Sequence, residues 1–317
     1  MKSITVFAVF VCFIFCPPLG AEPFPYTLSL SPQFGFLYGQ GEEQVYRDKN
    51  SDSLTSQLLW DLKPLFYGGI KLEFAQRNPL EGFGGFGALS MKFGIPMGTG
   101  VMEDRDWLAS NFPGAVTHYS RHEALSKGAL ILDLAAGPSI PAGPLLVLRP
   151  SLGFSYNRFS WTSRNGYTHY SSAKAPLTDS DPKVPVSGTV VSYSQDWFYM
   201  PLGLSLLVMP GRRFSGILWF HAGPVLKFLG LDEHHLTFTQ YRDEIRGGYF
   251  LEPGGEFRFS LGEHFFLRAY GSWRRFSTQP HGESYSMKGG EDWSFLGNTS
   301  GGGLQTMDLG LGVEVRL

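Results

Sequence analysis

The sequence predicts an all-β fold, a transmembrane antiparallel β-barrel of about ten strands with long outer loops and short inner turns. Three observations predict it. The N-terminus has the build of a secretory leader and no later segment could cross a membrane as a helix. Apolar and polar residues alternate one by one along many segments. Long and short connections alternate along the chain.

The leader comes first. Met1-Lys2 supplies a positive charge, Ile4 to Phe15 is apolar, and Pro17-Pro18-Leu19-Gly20-Ala21 ends in small residues. That order is the pattern of a signal peptide. We expect cleavage after Ala21, with residues 1–21 as the signal peptide and 22–317 as one barrel domain. The apolar run is shorter than the roughly 20 residues a membrane anchor needs. Cys16 invites a lipoprotein reading, but Phe13-Ile14-Phe15 are bulky where small residues are expected. Cys12 and Cys16 are the only cysteines, so the mature chain is expected to hold no thiol, disulfide or cysteine metal site. The net charge of −2 offers no basic field for nucleic acid. Glycine (40 residues) and aromatics (15%) suit a sheet with aromatic belts better than a helical globule. A large soluble sandwich would fit the composition equally.

The alternation comes second. Strands are expected near 26–38, 57–74, 86–96, 127–140, 145–163, 189–208, 215–235, 248–260, 264–278 and 303–317. Leu309, Leu311, Val313, Val315 and Leu317 share one face, with Gly310, Gly312, Glu314 and Arg316 on the other. Phe257 and Phe259 face away from Glu256, Arg258 and Ser260. Period two sorts each set to one side of a sheet.

The connections decide between barrel and sandwich. Pro141 to Pro144, Met209 to Phe214 and Leu261 to Glu263 are tight. Between them lie polar stretches at 39–56, 97–126, 164–188, 236–247 and 279–302. Residues 75–85 form a longer turn rich in glycine and proline. Short turns on one side and long loops on the other are the needs of an outer-membrane barrel. An even strand number returns both ends to the periplasmic side, and closure pairs every backbone group, as lipid demands.

Two motifs fall at the outer ends of strands: Met102-Glu103-Asp104-Arg105-Asp106-Trp107 and Leu231-Asp232-Glu233-His234-His235. In extended backbone Asp104 and Asp106 share a face, as do Asp232 and His234. Both motifs belong to the same rim, so the acids and the imidazole can converge across the mouth. A carboxylate that orients an imidazole keeps it basic enough to take a proton from water. A facing carboxylate pair resists double ionisation and shares a proton. That set permits hydrolysis without a serine or cysteine nucleophile.

These residues resemble the omptins, ten-stranded outer-membrane proteases. The paired aspartates in an M-x-D-x-D-W setting match Asp104 and Asp106, and the D-E-H motif matches Asp232, Glu233 and His234. Further matches are Leu37-Tyr38-Gly39 to Val45-Tyr46, Phe112-Pro113-Gly114 through Ser120-Arg121-His122, Arg158-Phe159-Ser160 and Met200-Pro201. The resemblance implies an outer-membrane endopeptidase with its active site facing outward and peptides or proteins as substrates. Asp232 and His234 would be its water-activating dyad, and Asp104 and Asp106 the pair that positions water and the scissile carbonyl. Cleavage beside basic residues is implied, with Glu43 as a pocket acid and Met102 at the pocket floor. A second pocket acid would fall at Gly230 and the neighbouring pocket's acid at His118. One of three specificity acids is therefore expected to remain, and a strict preference for paired basic residues is not. Of the family's lipopolysaccharide clamp, Arg158 matches one arginine. The second falls at Trp197, and the tyrosine and glutamate at Phe154 and Tyr156. No cofactor beyond such a lipid is expected, and the chain is expected to be a monomer in contact with membrane lipid.

Plainer readings stand beside these. Asp104 and Asp106 alone would read as solvated loop acids. His234, His235 and Asp232, with His118 and His122, could gather a metal, but zinc needs three or four ligands in tetrahedral array and nothing in the sequence fixes these together. Trp60, Trp107, Trp161, Trp197, Trp219 and Trp273 are expected as belt or rim aromatics rather than ligand stackers, with Trp60 and Trp107 set apart as exceptions to test because both lie near the proposed mouth. A binding or adhesion barrel without turnover, and a pore, are the competing functions. Against the pore, side chains are expected to fill so narrow a barrel.

Overall fold

The computed structural model describes residues 25–171, 175–211 and 213–317. The expected signal peptide and both cysteines lie outside these residues. The described chain forms one antiparallel sheet closed into a ring. Its strands are β1 (Tyr26–Asp48), β2 (Ser51–Gln76), β3 (Gly84–Gly94), β4 (Met97–Asp106), β5 (His118–Pro141), β6 (Leu146–Tyr170), β7 (Lys183–Pro185), β8 (Thr189–Tyr199), β9 (Leu202–Val208), β10 (Phe214–His234), β11 (Thr239–Ile245), β12 (Gly248–Ser260), β13 (Phe265–Thr278), β14 (Gly282–Lys288) and β15 (Ser294–Arg316). Several pairs are two halves of one stave: β3 with β4, β8 with β9, β12 with β11, and β13 with β14. β7 is a short edge on β6. The ring therefore has ten staves, closed where β1 pairs with β15.

Period two sorts the side chains as expected. Leu309, Leu311 and Val313 are exposed on the outer face, while Glu314 is buried inside. Phe34, Phe66, Leu152, Leu204, Leu218 and Phe257 extend the outer apolar band around the ring. Lys63, Lys127, Arg158 and Arg275, all exposed, lie just above it. Cations at that level suit the headgroup zone.

Above the band the structure departs from the expected loops. β1 runs on to Asp48 and β2 begins at Ser51. β4, β11, β14 and the starts of β5 and β15 likewise occupy stretches that read as loop. Outside lipid both faces of the barrel are wet, so the strands lose their apolar alternation while their backbone ladders continue. The inner turns are tight as expected. Ala142 N–H donates to Leu146 O at 2.8 Å and Leu261 N–H to Phe265 O at 2.9 Å.

The interior has three layers. In the lower half, carboxylates meet cations. Glu73 pairs with Lys71 (3.0 Å), Arg149 (3.2 Å) and Arg258 (3.2 Å). Arg274 bridges Glu252 (3.0 Å) and Asp133 (3.1 Å), Glu256 pairs with Arg258 and Arg268, and Asp308 with Lys92. Buried charge is tolerated only when paired in this way. Above them lies an aromatic layer. Trp60 stacks on Tyr193 with ring centroids 5.6 Å apart, Trp197 meets Phe228 at 4.5 Å, and Tyr199 meets Phe250 at 4.5 Å. Trp60, Trp161 and Trp197 are fully buried there, which corrects their placement in a belt or rim. Each lies on the inward face of its strand, where a ten-stranded barrel is narrow enough for large rings to fill it. The third layer is the mouth.

Candidate functional site

The mouth is built from strand ends. On β4, Met102, Asp104 and Asp106 face inward. Asp104 lies across from Leu58 of β2 and Ser120 of β5, and Asp106 across from Ser56 and His118. Ser56 Oγ donates to Asp104 at 3.4 Å, and its hydroxyl also favours the Asp106 charge. Met102, 1% exposed, packs in the aromatic layer beneath them.

On β10, Phe228, Gly230, Asp232 and His234 face inward. Asp232 is buried and lies between Tyr193 of β8 and Tyr241 of β11. His234 Nε2 is 2.6 Å from Asp232 Oδ2. With Asp232 ionised, Nε2–H is the donor, which leaves Nδ1 as the basic nitrogen. The Tyr241 ring meets the imidazole edge-on at 5.3 Å. Asp232 Oδ1 has no hydrogen-bond partner.

The two motifs act on each other across the mouth. The charge of His234 reaches both Asp104 and Asp106, and Asp232 also acts on Asp104. Burial, and then the Asp106 charge, push the Asp104 carboxyl up to about 8. Burial raises Asp106 too, against the Ser56 hydroxyl and the two imidazoles of His118 and His234. The pair therefore holds a proton near neutral pH, as close carboxylates do. Burial pulls His234 down, but the bond to Asp232 and the charges of Asp232, Asp104 and Asp106 outweigh it, and the imidazole ends above its ordinary value.

The omptin family model matches residues 24–317. The chain belongs to the omptin family. Its structure is similar to that of the outer membrane protease OmpT from Escherichia coli, with a TM-score of 0.83 and 18% identity over 94% of this chain and 99% of that one. At that identity the likeness speaks for the fold. The translocator domain of the autotransporter NalP from Neisseria meningitidis is aligned over 100% of this chain and 95% of its own, at 13% identity and a TM-score of 0.33. The toluene transporter TodX from Pseudomonas putida is aligned over 93% and 90%, at 8% identity and 0.28. No curated protein matches.

In this omptin the remaining expected residues divide. Glu43 of β1 is buried in the mouth, 4% exposed, across from Leu58 and Gly302. A Cβ at 302 would lie 2.7 Å from the Phe228 ring, so only glycine fits between Glu43 and the aromatic layer. His118 sits beside Asp106, bonded to Thr117 Oγ1 at 2.9 Å and packed on Tyr170 at 4.6 Å. His122 is turned to the Asn165 carbonyl instead. Arg158 is on the outer face, away from the mouth, 3.7 Å from Asp196, which also accepts from Tyr156. Trp197 points inward, so it cannot extend a lipid clamp from Arg158. The outward neighbour across the ladder is Asp196.

The sequence reading missed Ser56, Tyr241 and Asp243. All three lie in stretches read as loop. The alternation of Tyr241, Asp243 and Ile245 was the available signal, but three positions are too few to register as a strand.

Proposed function

We propose that this chain is an outer-membrane endopeptidase in which Asp232, His234, Asp104 and Asp106 hydrolyse a peptide bond at the outward-facing mouth. The 2.6 Å His234–Asp232 contact, facing a proton-sharing Asp104–Asp106 pair, carries the reading. A water placed between the two pairs attacks the scissile carbonyl carbon, and its proton passes to His234 Nδ1. The protonated member of the aspartate pair donates a hydrogen bond to the carbonyl oxygen as charge develops there. When the C–N bond breaks, the imidazolium returns its proton to the leaving amine. Asp232 stabilises the imidazolium throughout and holds the ring's orientation.

Peptide-library digestion read by mass spectrometry tests this. Wild type should cleave, and His234→Ala should lose cleavage by roughly 10²–10⁴-fold while its barrel still folds. A folded wild type that cuts nothing in the library, or an alanine variant that cuts as well as wild type, would overturn it.

A further inference from the structure

A carbonyl oxygen that becomes an oxyanion needs hydrogen-bond donors, and a barrel mouth supplies them from side chains. The strands of the closed ring spend their backbone N–H groups in the ladders, so they leave no main-chain pair for this task. The protonated aspartate gives one donor, and a carbonyl oxygen has two lone pairs to serve. Ser56 is committed to the aspartates, and Ser120 is buried.

One inward row holds a second donor. Ser56 of β2, Asp106 of β4, His118 of β5 and Tyr170 of β6 face one another in turn across the ladder. Strands lie about 4.8 Å apart, so the Tyr170 backbone is two strands, roughly 10 Å, from Asp106. The long side chain covers that distance along the imidazole. The two rings meet at 4.6 Å, and Asp104 and Asp106 are the charges that act on the phenol. The imidazole is itself fixed. Thr117 Oγ1, fully buried, donates to Asp106 O at 3.1 Å and accepts from Leu108 N–H at 3.2 Å. His118 Nδ1–H is therefore the donor in its 2.9 Å bond to Thr117 Oγ1. Ser171 N–H donates to Thr117 O at 3.0 Å and ties down the backbone just after Tyr170. Yet the phenol is 44% exposed and, among the described residues, nothing bonds its hydroxyl. The other inward tyrosines of the mouth differ. Tyr193 accepts from Gln195 at 3.2 Å, and Tyr241 lies on the dyad side, across from Asp232.

We propose that Tyr170 is a further catalytic residue, whose hydroxyl donates a hydrogen bond to the scissile carbonyl oxygen beside the protonated aspartate. This assignment rests on the endopeptidase reading above. As the water oxygen bonds to the carbonyl carbon, the C=O π pair moves onto oxygen, and the phenol and the aspartate each hold that charge through a hydrogen bond. When the C–N bond breaks, the double bond re-forms and the phenol still carries its proton. Burial, then the charges of Asp104 and Asp106, push Tyr170 up to about 12, so it is a donor throughout the working range of the site. The phenol stands on the aspartate side, where the carbonyl oxygen lies, while the dyad takes the water's proton on the other.

The test is Tyr170→Phe, which keeps the ring against His118 and removes only the hydroxyl. Removing one oxyanion donor costs roughly 10²–10³-fold in kcat. Tyr170→Phe should lose kcat in that range with KM nearly unchanged. Both limbs of its pH profile should stay in place, since the lost group does not titrate there. A phosphinic peptide, a tetrahedral mimic of the intermediate, should bind the variant more weakly by a similar factor. An ordinary substrate peptide should bind His234→Ala and His234→Ala with Tyr170→Phe equally. A folded Tyr170→Phe with wild-type kcat, a loss that lies in KM and in peptide binding, or limbs that move overturns the assignment and leaves the endopeptidase reading standing. If wild type cleaves nothing, that reading falls and the assignment falls with it.

Discussion

Replacing Asp232 by asparagine isolates what the buried carboxylate does for its imidazole. The change keeps the shape and removes one charge at 2.6 Å from His234 Nε2. A hydrogen bond to a charged group is worth about 1.5–3 kcal/mol. Since one tenfold step is about 1.4 kcal/mol, the loss in kcat/KM should be roughly 10–100-fold. The pH profile should move as well. His234 must be neutral to take a proton, and its raised pKa places the acid limb of the wild-type profile above pH 6.5. Without the Asp232 charge, burial pulls the imidazole down and only Asp104 and Asp106 oppose it, so the limb moves to lower pH. Asp232 also raises Asp104, whose value of about 8 sets the alkaline limb. That limb should move the same way. The assay is kcat/KM for one cleaved peptide between pH 5 and 9. An unchanged rate, or an acid limb that stays or moves upward, would refute the reasoning.

Two further predictions concern the barrel itself. Asp104 and Asp243 titrate at about 8 and about 7 in the fold, above an unfolded aspartate at about 3.9. The folded mouth therefore holds protons that the unfolded chain does not. Its stability is full below about pH 4 and falls as pH rises through 7 and 8. Hydrogen exchange at β4 and β11 amides should be faster at pH 8.5 than at pH 5.5, beyond intrinsic rates, and less so in Asp243→Asn. Equal protection at both pH values in wild type would contradict this. The aromatic layer should close the barrel to ions. Wild type in planar bilayers should give no steady conductance, and Trp60→Ala should cost about 3–5 kcal/mol and admit water into the layer. Steady wild-type conductance would show that the layer is not a seal.

The sequence made the membrane part of the fold legible because lipid enforces a strict sorting of side chains. Alternation alone put Leu309, Leu311, Val313, Val315 and Leu317 on one face and set Phe257 opposite Glu256, and the structure turns Leu309, Leu311, Val313 and Phe257 outward. Above the band that constraint ends. Ser51 to Ser56 and Thr239 to Ile245 pair as strands through backbone bonds that polar side chains do not announce. The buried tryptophans were misplaced because an aromatic on a barrel strand has the same local pattern whether it faces lipid or lumen. Asp104, Asp106, Asp232 and His234 were legible as two i, i+2 motifs. Their neighbours Ser56 and Asp243 were not, because each reaches the site through cross-strand register, a relation that no local spacing encodes.

The most direct test of the shared site is a double-mutant cycle between Asp104 and His234 on peptide cleavage. If one water is held between them, Asp104→Asn with His234→Ala should be little slower than His234→Ala alone, because each single change already disables the unit. Losses that simply multiply, in folded variants, would show two groups acting independently and contradict the account.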